Sequence, residues 1–184
     1  MSDWRGMLDA VVRERGRALF GYAYVLTGDR DQAEDLLQDA LVRAFRSGRR
    51  ASSVEAAQAY VKRAIATAFI DRARRAAARP VAGGDLQDWV AYTPKTPDHA
   101  PRVEAALDLQ SALLTLPPRE RACVVLRYMD DMTVAAVADT LGLAQGTVKR
   151  YLSDAVGRLK EAMPEVVFAE SESVPVDVRE GGAR

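Results

Sequence analysis

Thr133-Val-Ala-Ala-Val-Ala-Asp-Thr-Leu-Gly-Leu-Ala-Gln-Gly-Thr-Val-Lys-Arg-Tyr-Leu152 decides the fold of the second half of this chain. Val134, Val137, Ala138 and Leu141 fall at helical spacing, and Gly142 follows where a left-handed C-cap belongs. Val148, Leu152, Ala155 and Leu159 then begin a second apolar stripe. Two short amphipathic helices around a glycine turn make a helix-turn-helix. The spacing turns Gln145, Lys149, Arg150 and Ser153 to the outside of the second helix, where side chains can enter a DNA major groove. Ala144 occupies the seat usually held by a Ser or Asn cap, and Asp154 and Gly157 interrupt the outer face.

Upstream, three longer stripes have the same period. Leu8, Val11, Val12, Leu19, Tyr22, Ala23 and Leu26 lead to Gly28. Asp29 or Asp31 can cap a second helix through Ala33, Leu36, Leu37, Ala40, Leu41, Ala44 and Phe45. A third runs through Val54, Ala57, Val61, Ala64, Ile65, Ala68 and Phe69 into Arg72, Arg74, Arg75 and Arg79. Pro80 stops it, and a Pro- and Gly-rich stretch follows that reads as a linker. Helical spacing resumes at Val103, and Leu116-Pro-Pro-Arg-Glu120 opens another helix. The expected fold is all-α: two small helical domains, residues 1–79 and 103–163, joined by a linker over 80–102. Residues 164–184 read as an acidic, flexible tail.

The formal net charge of the 184 residues is zero, but it is segregated. Residues 1–79 hold 15 basic and 10 acidic side chains, residues 80–163 hold 9 and 11, and residues 164–184 hold 2 and 5. The front half is therefore a basic surface suited to phosphates. Arg43, Arg46, Arg49 and Arg50 extend the arginines at the end of the third helix. No run of about 18 apolar residues could span a bilayer, and the N-terminal residues lack a signal-peptide core, so a cytoplasmic protein is expected. The one cysteine, Cys123, lies in an apolar run and reads as a core residue. One histidine, His99, one cysteine and no phosphate-binding glycine loop leave little to build an enzyme from. A helix-turn-helix regulator that is not a polymerase subunit is the alternative, and three helices with no strand pattern exclude a receiver domain at its front.

Four segments occur together in one order: Leu26-Thr-Gly-Asp-Arg-Asp-Gln-Ala-Glu-Asp-Leu-Leu-Gln-Asp-Ala-Leu-Val-Arg-Ala-Phe45, Ala59-Tyr-Val-Lys-Arg-Ala-Ile65 with Asp71-Arg-Ala-Arg-Arg75, Leu116-Pro-Pro-Arg-Glu-Arg-Ala-Cys-Val-Val-Leu-Arg-Tyr128, and Gly146-Thr-Val-Lys149. In this the chain resembles the extracytoplasmic-function (ECF, group IV) sigma factors of the sigma-70 superfamily, with an actinobacterial flavour, over roughly residues 8–162. The resemblance implies a sigma region 2 in the first domain and a region 4 in the second. It also implies that Asp35, Leu36, Gln38 and Asp39 dock on the β′ coiled coil of core RNA polymerase. Arg49, Arg50, Tyr60, Lys62, Arg63, Thr67 and Arg74 would melt and read the minus-ten element, and Gln145, Thr147, Lys149, Arg150 and Ser153 the minus-thirty-five element. The partners implied are core polymerase (β′ coiled coil and β flap), promoter DNA and an anti-sigma factor of the kind that restrains many relatives. No catalytic residue, metal, cofactor or membrane is implied. Departures from the family pattern are Ala66 and Thr67, where Arg and Asn are frequent, and Tyr151 and Asp154, where basic residues are frequent.

Overall fold

The computed structural model describes residues 4–46, 51–78 and 101–163. The expectations placed on Arg49, Arg50, His99, the linker as far as residue 100 and the acidic tail fall outside them. Among the described residues there are seven α-helices and no strand: α1 (Trp4–Thr27), α2 (Arg30–Arg46), α3 (Val54–Ala78), α4 (Pro101–Thr115), α5 (Pro118–Val124), α6 (Val134–Leu141) and α7 (Gln145–Ala162). A π-helical turn, Val125–Met129, extends α5.

Helix ends follow the sequence chemistry. Asp29 Oδ1 accepts from the Gln32 N–H at 2.9 Å and Ser53 Oγ from the Ala56 N–H at 3.1 Å, so each supplies an N-cap. Prolines open α4 and α5, where the first turn has no use for their missing N–H. α4 thus begins at Pro101, two residues before the expected domain boundary.

α1, α2 and α3 pack on one another, and α4–α7 form the second bundle. Their apolar faces do not stay separate. A single buried cluster runs from Val11, Leu19, Leu26, Leu36 and Ile65 through Leu116, Leu126, Val137, Val148 and Leu159. The two helical domains are therefore docked, and α3 is the element between them. It buries Val61, Ile65 and Ala68, and also Ala66, Phe69 and Ile70 on a second side. Cys123 is fully buried, and burial followed by the Glu120 charge pushes its thiol up to about 11, which fits a core residue. Val12 departs from the expected α1 stripe and is exposed.

Gly28 ends α1 with φ +73°, and its N–H bonds to the Tyr24 carbonyl at 2.8 Å. A Cβ there would lie 2.6 Å from Cδ2 of Leu114 on α4. The residue thus serves both the left-handed turn and the approach of the second domain. Gly28→Ala is expected to cost about 1–2 kcal/mol for the left-handed backbone alone. Displacement of Leu114 adds to this, and a urea titration reads the total.

Candidate nucleic-acid and polymerase interfaces

The helix-turn-helix forms as its sequence dictates. Thr133 caps α6 by accepting from the Ala136 N–H at 3.2 Å. Gly142 takes φ 62° and ψ 43°, and the Leu143 N–H returns to the Ala138 carbonyl at 2.9 Å. Val137, Ala138, Leu141, Val148, Leu152, Ala155 and Leu159 are all buried. Ala144 sits at the N-cap of α7 and supplies no side-chain cap. Its outer surface presents Gln145, Lys149, Arg150 and Ser153 to solvent, with Thr147 half-buried beside them. The Arg150 guanidinium lies 5.4 Å from the centre of the Tyr151 ring, and the Tyr151 hydroxyl sits 3.5 Å from Arg119 Nη1. Tyr151 therefore reaches toward α5 with its hydroxyl while its ring lies beside Arg150.

On α3, Arg63 and Arg74 are exposed. Tyr60, Arg63 and Thr67 line an open groove of about 310 Å³ together with Ala64, Arg43 of α2 and Thr140 of α6. The arrangement of cations around an aromatic ring suits an unstacked base and its phosphates. The basic surface is not all free charge. Arg43 pairs with Asp71 at 3.1 Å and Arg72 with Asp39 at 2.7 Å, so both arginines brace α2 against α3. Lys62 and Thr67, by contrast, face the second domain. Lys62 Nζ meets Asp130 Oδ1 at 2.6 Å, and Thr67 Oγ1 lies 3.5 Å from the Thr140 carbonyl.

The acidic face of α2 needs one correction. Asp35 and Gln38 are exposed and Asp39 is half-buried, but Leu36 has no exposed surface. It falls three residues from Ala33 and four from Ala40, both core residues, so the α2 stripe claims it. Leu36 therefore lies beneath the acidic face and is not part of its surface. Val42, 56% exposed and one turn beyond Gln38, is an apolar side chain on the outside of α2 that periodicity left unread.

Three further polar groups make contacts that the sequence does not signal. Asp130, after the π-turn, accepts from both the Lys62 ammonium and the Tyr22 hydroxyl, the latter at 2.7 Å. Burial, then the Asp130 charge, drives the Tyr22 pKa far upward, so its phenol stays a donor. Arg121 of α5 is buried and donates to the carbonyls of Leu26, Leu114 and Leu116 at 2.6, 2.8 and 3.0 Å. Tyr22 and Asp130 are 108 positions apart, and no local pattern signals such a pair.

Residues 11–79 match the description "Sigma-70 region 2" and residues 106–159 match "Sigma-70, region 4". The ECF RNA polymerase sigma factor SigM of Mycobacterium tuberculosis is 34% identical over 155 residues, covering 84% of this chain and 76% of its own. The chain belongs to the ECF sigma factors. SigL of the same organism is 34% identical over 166 residues, covering 87% of this chain and 90% of its own. The RNA polymerase sigma-E factor of Streptomyces avermitilis is 35% identical over 152 residues, with 83% and 82% covered. In fold, the chain is similar to the sigma factor RpoE of Bartonella quintana, solved with the anti-sigma factor NepR. The TM-score is 0.60 at 22% identity, covering 90% of this chain and 99% of that one. As a sigma factor the protein binds core RNA polymerase and promoter DNA and directs promoter-specific transcription initiation. No helix among its described residues is long and apolar enough to cross a membrane.

Proposed function

We propose that this sigma factor is a cytoplasmic, group IV protein of an actinobacterial type that divides its work between the two domains and catalyses no reaction itself. Residues 1–79 bind core polymerase and read the minus-ten element, residues 103–163 read the minus-thirty-five element, and the linker spans between them. The observation that carries the reading is the outward set on α7, with Gln145, Lys149, Arg150 and Ser153 exposed on the second helix of the helix-turn-helix. Asp35, Gln38, Asp39 and Val42 form the surface for the β′ coiled coil, Val42 supplying the apolar contact that a solvated acidic face lacks. Tyr60, Lys62, Arg63, Thr67 and Arg74, with Arg49 and Arg50 of the preceding loop, take the melted minus-ten strand, and the second domain meets the β flap. The fold shared with a sigma factor solved in an anti-sigma complex supports a restraining partner of the same kind.

The test is run-off transcription with purified core polymerase on pooled upstream genomic fragments, with and without the protein. Discrete new start sites whose upstream sequences align at both elements are expected. Sequence-specific DNA binding with no new transcripts and no binding to core would overturn the reading. On a promoter mapped in this way, Lys149→Ala with Arg150→Ala is expected to cost about 1–3 kcal/mol of discrimination at each base that these side chains read. Open-complex yields on matched and mutated minus-thirty-five sequences measure it, and an equal decrease on both would reduce these residues to phosphate contacts.

A further inference from the structure

The docking of the two domains covers part of the surface on α3 assigned to DNA, and it does so with a carboxylate. Asp130 sits on a loop built to hold it: the Met132 N–H bonds to the Leu126 carbonyl at 3.2 Å, and Arg127 Nη1 to the Met132 carbonyl at 3.0 Å. Its two oxygens engage Lys62 and Tyr22 separately, and the Lys62 ammonium also lies 5.0 Å from the centre of the Tyr22 ring. The Asp130 and Lys62 side chains keep only 11% and 24% of their surface in solvent. One turn along α3 from Lys62, Ala66 is fully buried, small enough for the second domain to lie flat, and Phe69 then meets Arg121 at 5.8 Å. The α7 reading surface stays open in the same arrangement.

We propose that Asp130 latches the free protein shut, its carboxylate standing on Lys62 where a phosphate of the minus-ten strand binds, so that core polymerase must part the domains before that strand can enter. The inference rests on the reading of α3 as the minus-ten face. Distance makes opening obligatory. Promoter elements centred about 25 base pairs apart lie about 85 Å apart at about 3.4 Å per step. A compact body of about 160 residues is only about 40 Å across. The 22 residues between α3 and α4 span up to about 75 Å when extended, enough for the parted domains to reach both elements.

The experiment uses the full chain without polymerase. A pool of fluorescent single-stranded 20-mers is titrated with wild type, Asp130→Ala and Asp139→Ala, the last removing an equal charge from the exposed side of α6. At least about tenfold tighter binding by Asp130→Ala alone is expected. Equal gains for the two variants, or none, would overturn the latch. Small-angle scattering gives a readout independent of DNA: Asp130→Lys should expand the chain by repelling Lys62, and Lys62→Asp added to it should restore compaction. A wild-type radius of gyration for Asp130→Lys would overturn the proposal as well. Lys62→Ala in the holoenzyme tests the underlying reading separately. Undiminished open-complex formation there would remove Lys62 from the minus-ten surface whatever the scattering shows.

Discussion

Asp35→Lys combined with Val42→Lys is expected to weaken binding to core polymerase at least about a thousandfold, about 4 kcal/mol, while leaving the fold intact. Both side chains are exposed on α2, three and four residues on either side of Gln38. A carboxylate and an exposed valine two turns apart on one helix face can serve one interface, the apolar anchor excluding water and the charge steering the partner. Reversing the charge and replacing the anchor removes both effects, and long-range attraction becomes repulsion. Surface substitutions that touch no core neighbour stay within about 0.5 kcal/mol in stability, so melting curves should overlay those of wild type. Asp39 is the wrong residue for this test. Its carboxylate holds Arg72 of α3 at 2.7 Å, so removing it confounds docking with packing. Fluorescence titration of core polymerase with labelled protein measures the effect, and unchanged affinity would move the docking surface elsewhere.

The choice of Val42 over Leu36 shows where sequence reading stops. An apolar stripe assigns one buried face to each helix, and for α6 and α7 that is enough: the stripe residues are the buried ones, and Thr133 and Gly142 mark the ends of α6 in their own chemistry. α2 is nearly as legible, but Leu36 belongs to the stripe and to the motif at once, and only the packing of Ala33 and Ala40 beside it decides between them. α3 carries two buried faces. Alanines at 57, 66 and 68 weaken both stripes, since alanine is apolar without announcing a side, and Ala66 and Ile70 are not distinguishable by spacing from surface or first-face residues. The contacts that join the domains are polar and distant in sequence. The α1 stripe buries Tyr22 without naming a partner for its hydroxyl, Asp130 carries no pattern of its own, and Arg121 reads as one more arginine of the Pro-Pro-Arg-Glu-Arg segment. Charge segregation likewise reveals a basic front half, but not that Arg43 and Arg72 neutralise carboxylates of α3 and α2.

Arg121→Met is expected to lower the free energy of unfolding by about 1–3 kcal/mol, the cost of buried carbonyls left without a donor. Neither α1 nor α4 has a basic residue in its last turn, so the carbonyls at both ends lack the cation that usually complements them. One guanidinium serves both: it reaches Leu26 of α1 with one nitrogen and Leu114 and Leu116 with another. Three bonds from a charged donor contribute about 1.5–3 kcal/mol each. Against this stands the cost of taking the cation out of water, which lowers its pKa to about 10 and leaves Nε without a partner. Methionine recovers that cost and much of the volume but supplies no donor, so the carbonyls are left dry. Lysine, a single point donor, cannot reach two helix ends at once and should recover only part of the stability. The guanidinium stays charged in the folded and unfolded states at neutral pH, so the difference from Arg121→Met should be flat between about pH 6 and 9. Urea denaturation of both proteins across that range measures it. Equal stability at neutral pH would mean that the three bonds only balance the burial of the charge, leaving Phe69 and the apolar cluster as what holds α5 against α1 and α3.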